Sequence, residues 1–291
     1  MLLVSRLSSE IVYPRRVSGT ALDAVIALVV SEIIRFLLAL PLIIYSFNGS
    51  NVHRSVYNKN KALGWMGAVF AALLLLAAAL KTMLDLSQFA VKNLLPGGVI
   101  WIIFALAAVF AVYSALMGTE ALARSGAVFL IAAAVITLTV IIADIPFITL
   151  RSFENFSEYG NSALLGDIIE RVMRGGDYLI FAAMLPYVAR NRKSALGRTA
   201  MLFAVCSTIA ALIICVFNCL VLRGMYGMTE YPFLAAASLS DISLFKRLDG
   251  FAAAVWGLCA AFRSGVLVLS AENALIEVYK AGHAPKKEAA G

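Results

Sequence analysis

The sequence is short of charge. Only 14% of its 291 residues are Asp, Glu, Lys or Arg, while 62% are hydrophobic. A soluble globular domain carries about 25% charged and about 45–50% apolar residues. A soluble core has no use for this much apolar sequence, which leaves the bilayer as the solvent. Cysteine is also scarce. Cys206, Cys215, Cys219 and Cys259 all fall inside apolar runs, with no Cys-x-x-Cys spacing, so neither a disulfide framework nor a redox pair is indicated. The two histidines, His53 and His283, sit in expected loops without ligand partners, which argues against zinc. No Gly-x-Ser-x-Gly, phosphate-binding loop, His-Glu-x-x-His or pair of catalytic carboxylates occurs. The expectation is a protein that is not an enzyme and has no cofactor or metal. No cleavable signal peptide is evident either, because Arg6 and Glu10 interrupt the apolar start.

What the sequence does have is long apolar stretches. A ~30 Å hydrocarbon layer is crossed by roughly 20 mostly apolar helical residues. Thr199–Leu222 carries no charge at all, and Ser125–Ala143, Val99–Met117 and Leu63–Leu80 are similar. Ala24–Phe47 contains Glu32 and Arg35, and Gly250–Val278 contains Arg263 and Glu272. Two weaker segments are Met1–Tyr13, which reads as the second part of a helix, and Tyr178–Ala189, which follows the helix-breaking pair Gly175-Gly176. Just before that pair, Leu164, Leu165, Ile168, Ile169 and Val172 repeat at helical spacing. Residues 163–189 then form one discontinuous helix, or an interfacial helix followed by a half-span. The fold class expected is all-α, a polytopic transmembrane bundle of about eight spans. Residues 1–280 make up the helical domain and residues 281–291 a short basic tail. A β-barrel would show short alternating segments instead.

The net charge of +7 comes from basic residues between the apolar runs, so nucleic acid is not an expected partner. His53, Arg54, Lys59 and Lys61 form one cluster, Arg190, Arg192, Lys193 and Arg198 another, and Lys280, Lys286 and Lys287 a third. Eight spans put all three on one side, which should be cytoplasmic.

Several short patterns, in order along the chain, carry a family resemblance. They are Gly118-Thr119-Glu120 with Arg124, Gly176-Asp177 followed by Met184-Leu185-Pro186, Tyr231-Pro232-Phe233, and Phe245-Lys246-Arg247-Leu248-Asp249 leading to Trp256 and Arg263. Taken together the sequence resembles the B subunits of spore germinant receptors (GerAB-like), a branch of the amino acid–polyamine–organocation permeases. The resemblance implies a permease-type (LeuT-like) scaffold with discontinuous helices, here incomplete, since the family has ten spans. It also implies A-type and C-type receptor subunits as partners, a small nutrient such as an amino acid as ligand, and the cell membrane or the inner membrane of the spore as the location.

A charge in mid-bilayer costs roughly 2.5–3.5 kcal/mol on insertion scales, so it finds a partner or a wet cavity. Asp177, after Gly175 and Gly176, can meet a ligand ammonium or a proton where a broken helix exposes its backbone, or can cap the following helix. Arg263 can hold a ligand carboxylate or pair with a buried acid on another helix. Lys81 with Asp85, and Glu32 with Arg35, are spaced to neutralise each other, although the resemblance places Asp85 beside the substrate cavity. Ser8 and Ser9, with Glu10, stand where the family's first helix unwinds, and offer hydroxyls to a small polar ligand unless the terminus is simply frayed. Glu120 and Arg124 read as a structural clasp, and Tyr231-Pro232-Phe233 as a turn and plug or a lid. The function expected is nutrient sensing that triggers spore germination. The alternatives are a secondary transporter of amino acids and a degenerate relative with a structural role only.

Overall fold

The computed structural model describes residues 1–14, 20–47, 57, 60–149, 161–173, 177, 180, 183–184, 195–240 and 248–283. These form nine α-helices: α1 (Leu2–Ile11), α2 (Ala21–Phe47), α3 (Lys61–Asn93), α4 (Ile100–Leu116), α5 (Gly118–Ala143), α6 (Asn161–Met173), α7 (Ala195–Leu222), α8 (Pro232–Leu239) and α9 (Asp249–His283). Short 3-10 turns follow α5 and α7. No strand occurs among the described residues.

Five of these helices, α2, α3, α5, α7 and α9, are long and apolar enough to cross a membrane, and α4 is an apolar helix of 17 residues. In lipid every backbone polar group has to be satisfied within its own segment, and helices do this. The pattern of side chains is that of a membrane bundle. On α5 the exposed residues are Val128, Ile131, Val135, Leu138 and Ile142, while Leu122, Gly126, Ala133 and Val140 face inward. On α3 Met66, Phe70, Leu73, Leu80 and Leu84 point out, and Ala68, Ala72, Leu75 and Ala79 point in. Large side chains outside and small ones inside let helices approach closely in a solvent as apolar as the side chains themselves.

The core is organised around α9, which packs on α1, α3, α4, α5 and α8. Trp256, Phe262, Arg263 and Leu267 on this helix are fully buried. The helix approaches α4 closely. A Cβ added to Gly265 would lie 2.6 Å from the Cβ of Ser114, so only glycine fits. On the other side α2 packs on α6 and α7, and α1 bridges the two halves by touching α5, α7 and α9.

Several expected boundaries move. α3 does not stop at Leu80 but continues to Asn93. Lys81 and Asp85 lie one turn apart and pair, so the charges do not interrupt the helix. α5 begins at Gly118, seven residues before the expected Ser125. α4 and α5 meet with only Met117 between them, and Gly118 takes φ +83 to turn the chain, a conformation that suits glycine. Ser8, Ser9 and Glu10 show no unwinding, since α1 is continuous from Leu2 to Ile11. The Ser8 and Ser9 hydroxyls donate back to the Ser5 and Arg6 carbonyls at 2.9 and 2.6 Å, so they solvate the helix and do not break it. Of the expected spans, 178–189 lies outside the described residues except for Ile180, Ala183 and Met184.

Candidate functional site

The intramembrane charges converge. Arg6 on α1 pairs through Nη1 with Glu10 Oε1 at 2.8 Å, one turn along, and donates through Nη2 to Glu32 on α2. Glu32 Oε1 also accepts from Arg35 Nη1 at 2.6 Å. The other oxygen of Glu10 accepts from Arg171 Nη1 on α6 at 3.1 Å, and Arg171 Nε reaches Asp167 at 3.2 Å. Arg35 Nη2 donates to the Arg171 carbonyl. From α9, Arg263 Nη1 donates to the Ser5 carbonyl at 2.6 Å and to Asp177 Oδ1. Asp177 closes the circuit, with Oδ2 3.9 Å from Arg6 Nε.

Four guanidinium groups thus face four carboxylates across α1, α2, α6, α9 and Asp177. Arg6, Glu32, Arg35, Arg171, Asp177 and Arg263 are all buried. Burying even a paired ion costs several kcal/mol of desolvation, and the pairing repays it only when geometry and hydrogen bonding are good. Here the cluster is neutral as a whole, but its hydrogen bonding is incomplete. Arg6 Nε, Arg35 Nε, Asp177 Oδ2 and Arg263 Nε are buried without a hydrogen-bond partner among the described residues. Such unsatisfied polar atoms are costly in a low-dielectric interior.

Tyr13, just beyond α1, is buried against this cluster. The Arg263 guanidinium carbon lies 5.8 Å from its ring centroid and Lys81 Nζ 5.6 Å from it, within cation–π range. The Tyr13 hydroxyl is 2.7 Å from Thr82 Oγ1. Lys81 in turn pairs with Asp85 at 3.4 Å.

The residues singled out from sequence therefore fall into distinct places. Asp177 and Arg263, 86 positions apart, are bonded to each other. Ser8 and Ser9 line the same region, and Ser9 Oγ accepts from Arg6 Nη1 at 3.0 Å. Asp85 is buried on α3, paired with Lys81, which lies over the Tyr13 ring as Arg263 does. Gly175 and Gly176 lie outside the described residues. Glu120 and Arg124 pair at 2.6 Å on an exposed turn of α5, each about four-fifths exposed. Tyr231, Pro232 and Phe233 open α8 and are buried, with Phe233 packed edge-on against Trp256 at 6.3 Å and Tyr231 against Phe89 at 5.2 Å. Sequence reasoning missed Arg6, Arg171 and Tyr13. The spacing of Arg6 and Glu10, four apart in an apolar segment, was the available signal. Among the described residues no group of three or more His, Cys, Asp or Glu side chains is placed to hold a metal ion.

A family model named Spore_permease and described as spore germination protein matches residues 8–285. No curated protein and no solved structure matches the chain.

Proposed function

The chain belongs to the Spore_permease family of spore germination proteins, and on that premise we propose that it is the membrane-embedded, B-type subunit of a germinant receptor that senses a small nutrient such as an amino acid. The family is one of permease- and receptor-type membrane proteins, and the reading assigns this chain no catalytic step. The observation that carries it is that Arg6 Nε, Arg263 Nε and Asp177 Oδ2 are among the unsatisfied atoms of a neutral ionic cluster.

A zwitterion matches that set. Its ammonium donates to Asp177, and its carboxylate accepts from Arg263 and Arg6 in charge-assisted bonds. Because the cluster is already neutral, a zwitterion enters without adding net charge, whereas a simple cation or anion would leave an uncompensated ion in low dielectric. Entry replaces the direct Arg263–Asp177 bond with a bridged one and loosens α9 from Asp177 and α1. Such a ligand acts only through its different affinity for the two arrangements. In this reading A-type and C-type subunits in the inner membrane of the spore transmit the shift.

The test is the germination response of spores carrying Asp177→Asn or Arg263→Gln. Both variants should reach the membrane at parental levels and fail to respond to the amino acid that triggers the parent. A parental response from both would refute the site. Uptake of a radiolabelled amino acid into proteoliposomes, lost on Asp177→Asn, would instead identify a secondary transporter built on the same cluster.

A further inference from the structure

The short helix α8 is tied at each end to a different long helix. Glu230, just ahead of α8, accepts from Lys92 near the end of α3, whose Nζ lies 2.7 Å from both of its oxygens. Ser240, directly after α8, donates to Asp144 Oδ1 at the end of α5 at 2.8 Å. Between these ties α8 packs on α7 and α9 and touches α1, with Phe233, Leu234, Ala236 and Ala237 buried. A helix of eight residues is not stable by itself. Its place therefore depends on this packing and on the two ties.

The ties differ in kind. Lys92 and Glu230 are both exposed, and an ion pair in the open contributes little. Asp144 is fully buried, and its Oδ2 has no hydrogen-bond partner. Glu32 and Asp177 are buried too, but each meets guanidinium groups. Asp144 meets none among the described residues. Of the charged side chains on the elements that surround it, Glu120 and Arg124 sit at the far end of α5, Arg223 after α7 is exposed, Glu230 is bonded to Lys92, and α8 carries none. A lone carboxylate in a dry site takes up a proton in preference to staying charged. Burial pushes this carboxyl up, and the Ser240 bond opposes it. Asp144 is also fixed in place, since its backbone N–H donates to the Val140 carbonyl at 3.0 Å and its carbonyl accepts from Phe147 at 2.9 Å.

We propose that Asp144 is a proton-binding site whose protonated carboxyl latches the end of α8 to α5. With the proton in place, Ser240 bonds to a neutral acid, which a dry site holds at little cost. When the proton leaves for solvent, the carboxylate left behind has no counter-ion, and water has to solvate it. Admitting that water parts Ser240 from Asp144. Asp144 is held by the α5 terminus, so Ser240 and the last turn of α8 are what move. The latched arrangement holds the proton more tightly than the open one. Opening therefore rises with pH, from the ordinary carboxylate value through the raised one, by at most about tenfold per pH unit for a single proton.

The test is amide hydrogen exchange, read by mass spectrometry on the full-length protein in detergent micelles. Exchange is followed from about pH 4, the ordinary carboxylate value, upward past neutrality, and each rate is divided by the intrinsic rate at the same pH. Opening of the α8 amides should rise with pH while those in the middle of α7 stay protected. Asp144→Asn, which has the shape of the neutral acid, should keep α8 closed and remove the rise. Ser240→Ala should increase α8 opening severalfold at the acid end, where the parent is latched and the variant lacks the bond. Opening of α8 that does not vary with pH, a rise that persists in Asp144→Asn, or α8 amides that open only together with those of α7 would each overturn the latch. Should Asp144→Asn fail to fold, the Ser240→Ala comparison decides, and unchanged opening at the acid end refutes the proposal. Neither germination nor nutrient binding enters the measurement, so the latch and the sensing reading can fail separately.

Discussion

Arg6 on α1 donates to Glu32 on α2, a helix that packs chiefly on α6 and α7. That bond, with Arg263 to Asp177 on the other side of Arg6, makes α1 the charged hinge pin between the two halves of the bundle. Removing one partner strands a buried charge. Glu32→Gln should therefore destabilise the protein by about 3–5 kcal/mol, read as a lower midpoint in denaturant titration of the purified protein. The double variant Arg6→Met/Glu32→Gln should lose less than the sum of the single losses. Strict additivity would show that the two side chains do not interact.

The close approach of α4 and α9 gives a packing prediction. Gly265→Ala puts a methyl group 2.6 Å from Ser114 Cβ, and overpacking of this kind costs about 1–3 kcal/mol. Adding Ser114→Gly should restore most of the loss. A harmless Gly265→Ala would mean the helices are further apart.

Asp144, at the C-terminal end of α5, is fully buried, with one oxygen accepting from Ser240 at 2.8 Å and the other without a hydrogen-bond partner. Burial pushes its carboxyl up, and the Ser240 hydrogen bond opposes this only partly. The folded state thus holds the proton more tightly than the unfolded chain, and this contribution to stability falls as pH rises from the ordinary carboxylate value through the raised one. Asp144→Asn should flatten that part of the stability–pH curve in thermal melts. A slope unchanged by the substitution would place the titration elsewhere.

Exposed charges should matter little. Glu120 and Arg124 are spaced i,i+4 and almost fully in the open, where such pairs contribute about 0.3–0.5 kcal/mol. Glu120→Ala and Arg124→Ala should leave both thermal stability and the germination response close to the parent. Loss of response at normal protein levels would give this pair a role its geometry does not suggest.

The helices were largely legible because lipid-crossing segments need long apolar runs and the chain offers few other reasons for them. α9, expected over 250–278, spans Asp249–His283. The boundary errors share one cause. Lys81 within α3 and Arg124 near the start of α5 bound the uncharged runs, yet each is paired one turn away with Asp85 or Glu120 and so sits comfortably in a helix. The site was legible as a set of costly residues, since Asp177 and Arg263 stand out wherever charge is rare. Their mutual bond was not, because nothing local links positions 86 apart. Glu32 and Arg35 show the limit of local reasoning most clearly. Their i,i+3 pairing is present, but it satisfies only part of Glu32, and the rest is taken by Arg6 from another helix.

The central claim is that the Arg6–Asp177–Arg263 cluster is where the nutrient is held. Equilibrium binding of the radiolabelled amino acid that triggers germination, measured on the assembled receptor complex with parental and Arg263→Gln subunits, tests it most directly. The account predicts that affinity falls about 30-fold or more, as losing one partner of a buried charge pair costs about 2–5 kcal/mol. Parental affinity in the Arg263→Gln complex would contradict it.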